Sequence, residues 1–130
     1  METIKSYTDL EQSRKLAKVL PIESADMKWF FWKEDIDKPK IPTFGYSKTA
    51  AEDYKNTKAV YLPAWSFAAL FDVLSILDNR SPVISKTFDR KYRVVYHSTT
   101  YEKAILTTDY DNPVDACYEM IIKLHELNLL

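Results

Sequence analysis

The chain has a single glycine, Gly45, among 130 residues. Neither the phosphate-cradling loop of the P-loop enzymes nor the dinucleotide fingerprint can be written with one glycine, so both nucleotide-binding devices are excluded in their usual form. There is also a single cysteine, Cys117, so no internal disulfide can form. No His-x-x-x-His, Cys-x-x-Cys or Asp-x-Asp-x-Asp run is present, and structural or catalytic metals need several convergent ligands. No cofactor and no metal are therefore expected. No apolar run approaches the ~18 residues of a membrane span. Met1-Glu-Thr-Ile-Lys5 lacks the apolar core of a signal peptide, so the expectation is a soluble, cytoplasmic protein with no membrane partner. The formal net charge of −1 supplies no general attraction toward nucleic acid.

What is present argues for a packed body. Hydrophobic residues make up 46% of the chain and aromatic residues 14%, which argues against disorder. A chain of this length buries roughly two-thirds of its unfolded surface and reads as a single domain, residues 1–130. The last third is the most legible. Tyr92-Arg-Val-Val-Tyr-His97 alternates and is rich in β-branched and aromatic residues, as a strand is, and Lys103 to Thr108 reads as a second strand. Asn112 and Pro113 announce a helix, one as cap and the other as a first residue that needs no N–H. On that helix Val114, Cys117, Tyr118, Ile121, Ile122 and Leu124 share one arc, and Asp115, Glu119, Lys123 and Glu126 form a narrow polar strip. An arc this wide predicts a helix covering the Tyr92–Thr108 hairpin.

Earlier in the chain, Thr8-Asp-Leu-Glu11 has the form of a capping box opening a helix from about Asp9 to Leu20, which Pro21 ends. Met27 to Lys33 reads as a strand with aromatic residues on both faces. Glu34 to Lys58 is irregular, broken by Pro39, Pro42 and Gly45, with a short helix expected between Lys48 and Asn56. A connection this long is either a functional loop or conceals an element. Ala59 to Leu62 is a short strand, Ser66 can cap a helix from Phe67 to Leu77, and Val83 to Phe88 is a strand leading through Asp89-Arg-Lys91 into Tyr92. The expected fold is α+β: a single domain, an antiparallel β-meander of about four to five strands, and about three helices packed mainly on one face.

Three segments carry a resemblance: Leu20-Pro-Ile-Glu-Ser-Ala-Asp-Met27, Leu62-Pro-Ala-Trp-Ser-Phe67 and Asp111-Asn-Pro-Val-Asp-Ala-Cys-Tyr-Glu-Met120. In this order they resemble segments of a family of small uncharacterised proteins carried by prophages and mobile elements of gut bacteria. The resemblance spans most of the chain. It implies a mobile-element origin and carries no activity and no functional residue.

Candidate chemistry is sparse. Cys117 lies on the apolar arc, where a cysteine behaves as a small hydrophobe, although a depressed pKa would make it a nucleophile. The histidines are His97 and His125, and His125 is roughly 12 Å along the helix from Cys117, too far for direct pairing. His97, Cys117 and the Asp109–Asp111 pair are the residues a small hydrolase would use. Asp109, Asp111 and Asp115 also suit the start of a helix. Lys86, Arg90, Lys91 and Arg93 gather around one hairpin beside Tyr92 and Tyr96, a combination able to contact nucleic acid, or simply a solvated edge guarded against aggregation. Trp29, Phe30, Phe31 and Trp32 are many large rings for one strand, and tryptophan and tyrosine are favoured interface anchors. Trp29, Trp32, Tyr46 and Tyr54 are the candidate partner-binding residues. The reading is a non-enzymatic accessory protein acting through an unknown protein partner or as a homo-oligomer. The alternatives are contact with nucleic acid through Lys86–Arg93 and a small hydrolase.

Overall fold

The computed structural model describes residues 5–32, 40–44, 59–76, 82–96, 105–107 and 109–129. Its elements in order are α1 (Leu10–Val19), a 3-10 turn (Ile22–Ser24), β1 (Met27–Trp32), β2 (Lys40–Phe44), β3 (Ala59–Ala64), α2 (Phe67–Ile76), β4 (Val83–Lys86), β5 (Tyr92–Tyr96), β6 (Ile105–Leu106) and α3 (Pro113–Glu126). The class is α+β with antiparallel sheets. The described strands do not form one meander. They form two three-stranded sheets, β2-β1-β3 and β4-β5-β6, and only the second follows chain order. The chain divides into two compact units, Thr8–Ser66 and Met1–Tyr7 with Phe67–Leu130.

In the Thr8–Ser66 unit, β2 is the element hidden in the irregular stretch. Pro42 sits on an edge strand, the place where a sheet tolerates a residue without an N–H. β3 is the other edge, which lets it run through Pro63 to Ala64 and not stop at Leu62. β1 lies between them, paired in register from Met27↔Ala64 to Trp32↔Ala59. The capping box of α1 is shifted by one residue from the sequence expectation. Asp9 is the N-cap, receiving the Gln12 N–H, and the Gln12 side chain accepts the Asp9 N–H.

Thr8 is released from capping because it is used inside. It is fully buried, and its N–H donates to the Trp65 carbonyl at 2.9 Å. Its hydroxyl oxygen accepts the Trp65 N–H at 3.1 Å and bonds the buried Ser13 hydroxyl at 2.7 Å. Its carbonyl accepts the Trp29 indole N–H. Trp65 is itself fully buried, and its indole N–H donates to the Ser24 hydroxyl oxygen at 2.9 Å. Next to it, the Ser66 N–H and hydroxyl both donate to the Asp26 carboxylate. The first two segments of the resemblance therefore meet here, Ser24 with Trp65 and Asp26 with Ser66.

In the other unit, α3 packs against β5 and α2. Of the arc read from the sequence, Val114, Cys117, Ile121 and Leu124 are fully buried, Tyr118 is buried and Ile122 is half-buried; Ala116 and Met120, outside that arc, are fully buried as well. Asn112 caps α3 by accepting the Asp115 N–H, and Pro113 takes the first position. Asp115 also accepts from Lys5 at 2.8 Å. Thr107 is buried and continues the ladder beyond the two residues of β6. Its N–H donates to the Val94 carbonyl and its hydroxyl oxygen accepts the Val94 N–H. The expected helix at Lys48–Asn56 lies outside the described residues.

Replacing Thr8 tests this arrangement. Thr8→Val keeps the shape and strands the Trp65 N–H and the Ser13 hydroxyl, so chemical denaturation is expected to show a loss of about 1–3 kcal/mol. Thr8→Ser, which keeps the hydroxyl, is expected to lose clearly less.

Candidate aromatic face and basic hairpin

The pleat sorts the rings of β1. Successive residues of a strand point to opposite faces, so Met27, Trp29 and Phe31 share one side and Lys28, Phe30 and Trp32 the other. Met27 and Phe31 are buried, and Trp29 is half-buried with its indole bonded to Thr8. Trp29 and Trp32 therefore do not form one patch. Trp32 is 47% exposed, the most open ring of the strand.

The Trp32 side gathers a different set. Phe30 meets Trp32 edge to face with ring centres 4.9 Å apart. Its cross-strand partner Tyr61 lies at 5.3 Å with the rings tilted. Lys28 holds its ammonium 5.2 Å from the centre of the Tyr61 ring. Aromatic pairs and cations over rings are individually modest attractions, and their value here is that they hold one connected surface in place. Tyr61 and Lys28 are not among the residues that the sequence points to, and Phe30 is there one of the four rings of β1 without being a candidate partner-binding residue. The pairing of Phe30 with Tyr61 across β1 and β3 had no sequence signal, because it depends on register. Tyr46 and Tyr54 lie outside the described residues.

The basic hairpin is built tightly and half of its cations are matched. Thr87 organises the tip: its N–H donates to the Lys91 carbonyl, its carbonyl accepts the Arg90 N–H, and its hydroxyl oxygen accepts the Lys91 N–H. Its hydroxyl donates to Asp89 at 2.5 Å, which with the nearby lysine and arginine holds the Asp89 carboxyl below its usual range. Arg90 takes φ of 63°, the left-handed conformation that closes this type of turn. Tyr92 and Tyr110 bridge the two chain segments, and an ion pair flanks the bridge on each side, Lys91 with Asp111 and Arg93 with Asp109 at 2.7 Å. Asp111 raises the pKa of Lys91 and Asp109 that of Arg93. Lys86 lies over the Tyr92 ring at 5.6 Å. Of the four basic residues, two are thus engaged by the aspartates that precede α3. At the tip, Phe88 is fully exposed.

The residues a hydrolase would use are not brought together among those described. Cys117 is fully buried, and desolvation pushes its thiol up to about 12. A thiol so protonated is a poor nucleophile at neutral pH. His125 is exposed, Asp109 and Asp111 bond the hairpin cations, and His97 lies outside the described residues. Among the described residues no group of three or more His, Cys, Asp or Glu is placed to hold a metal ion. No helix among them is long and apolar enough to cross a membrane.

Comparison with family models, with curated proteins and with solved structures finds no match for this chain.

The environment of Cys117 has two measurable consequences. The native protein is expected to give no reaction with a thiol reagent at pH 8, with one thiol appearing on denaturation. Above pH 9 the thiol of the unfolded chain ionises while the folded one stays protonated until about pH 12. Stability should therefore fall with rising pH across that window, and fall more steeply than in Cys117→Ala.

Proposed function

We propose that this chain is a small, non-enzymatic accessory protein of mobile-element origin, working in the cytoplasm by binding another protein or a second copy of itself. The observation that carries the binding role is the joined aromatic surface of Phe30, Trp32 and Tyr61 on one face of the β1–β3 pair, with Trp32 its open end. An exposed tryptophan supported by neighbouring rings is what a docking anchor requires: large contact area, little side-chain entropy to lose, and a fixed orientation. The mobile-element origin is supported by the three sequence segments alone.

Contact with nucleic acid through Lys86–Arg93 is the weaker reading. Lys91 and Arg93 are already paired with aspartates, and a phosphate backbone would have to compete for them.

Removing the anchor tests the proposal. Trp32→Ala is expected to leave thermal melting nearly unchanged, because the side chain is half open. It should deplete by about tenfold, the effect of a typical anchor, the partners recovered by affinity purification from the native host. Identical recoveries from both proteins, together with a monomeric wild type in sedimentation at high concentration, would remove this function.

A further inference from the structure

The aromatic face carries a charge pattern as well as rings. Along β1 its residues are Lys28, Phe30 and Trp32, and their cross-strand partners on β3 are Pro63, Tyr61 and Ala59. On β2 the register places Thr43 opposite Lys28 and Lys40 opposite Phe30. Among the described side chains at these positions Lys28 carries a positive charge and none is a carboxylate. Among the described residues Lys28 forms no ion pair, and its ammonium rests over the Tyr61 ring. The lysine is therefore half-buried beside an apolar surface, held by a weak attraction and available to an anion.

This pattern discriminates between occupants. A second copy docking face to face would bring Lys28 against a surface with no acid among its described residues, and a two-fold interface repeats that mismatch on both sides. A single nucleic-acid strand needs a basic track and several open rings for stacking, whereas Phe30 and Tyr61 are half-buried and the chain has a net charge of −1. A protein segment that offers one apolar side chain and a nearby carboxylate matches both features.

We propose that the Lys28–Phe30–Trp32–Tyr61 face receives an acidic, apolar segment of a different protein, with an apolar side chain laid on Trp32 and a carboxylate on Lys28. This rests on the reading of the face as a contact surface and names the chemistry of what it contacts. The carboxylate sets the orientation of the segment, and the ring surface supplies the contact area.

Panning random phage-displayed peptides against the intact chain reads this chemistry directly. The enriched sequences are expected to carry Asp or Glu close to a large apolar residue, and their binding should fall by about tenfold in Trp32→Ala, as for a buried anchor. Lys28→Glu, which leaves the rings in place, should reverse the selected charge from acidic to basic. Melting curves of both variants establish that each is folded. Peptides that depend on Trp32 but show no acidic preference, or whose charge preference survives Lys28→Glu, overturn the acidic partner and leave the contact surface standing. Trp32-dependent self-association in sedimentation replaces the partner with a second copy and overturns this inference alone. Enrichment of no Trp32-dependent peptide overturns both the inference and the proposed function, as does Trp32-dependent binding of oligothymidylate.

Discussion

The burial of Trp65 is the constraint on which the Thr8–Ser66 unit depends. An indole taken fully out of water stabilises through its large apolar area, but only if its N–H and the neighbouring backbone groups find partners. Thr8 supplies the backbone partners from the position just before the Asp9 cap of α1, and Ser24 supplies the indole partner from the 3-10 turn. Asp26 then holds Ser66. These contacts join points 40 to 57 residues apart in sequence, so they fix where α1 starts, where the turn lies and where β3 ends. The alternative of leaving any of these polar groups buried and unpaired costs more than the ordering of the residues that satisfy them.

The candidate surface follows from that arrangement. With β1 central and one of its sides facing the buried residues, the pleat allows only alternate rings to be covered. Met27 and Phe31 go inside, Trp29 stays half-buried through its bond to Thr8, and Phe30 and Trp32 go to the other side. A strand with four consecutive rings cannot bury all of them unless both faces of its sheet are fully covered, and the exposure of Trp32 shows that the cover on its side is incomplete. Its exposure is thus a direct consequence of the ring count and the register.

The basic hairpin illustrates the opposite outcome. Its four cations look like a site when read along the chain, yet two of them meet Asp109 and Asp111 across the Tyr92–Tyr110 bridge. Cross-strand pairs of opposite charge are the ordinary means of matching neighbouring segments. Exposed pairs of this kind contribute little to stability, and their main effect here is to lower the positive field of the hairpin.

The amphipathic arc of α3, its Asn112 cap and the strand character of Tyr92–Tyr96 were legible by themselves, because helix and strand periodicity and capping chemistry are local. So was the excess of rings on β1. Thr8 as a buried hub, β2 within a proline-broken stretch, the division of the strands into two sheets and the pairing of Phe30 with Tyr61 were not. Each of these depends on which distant segment lies alongside, and Thr8 in particular offers the same hydroxyl to a helix end or to a buried indole partner. The amino-acid order by itself determined which residues must leave water and which local shapes they prefer. Only the tertiary structure decided which rings stay outside and which charges are already matched, because burial and ion pairing are properties of neighbours in space.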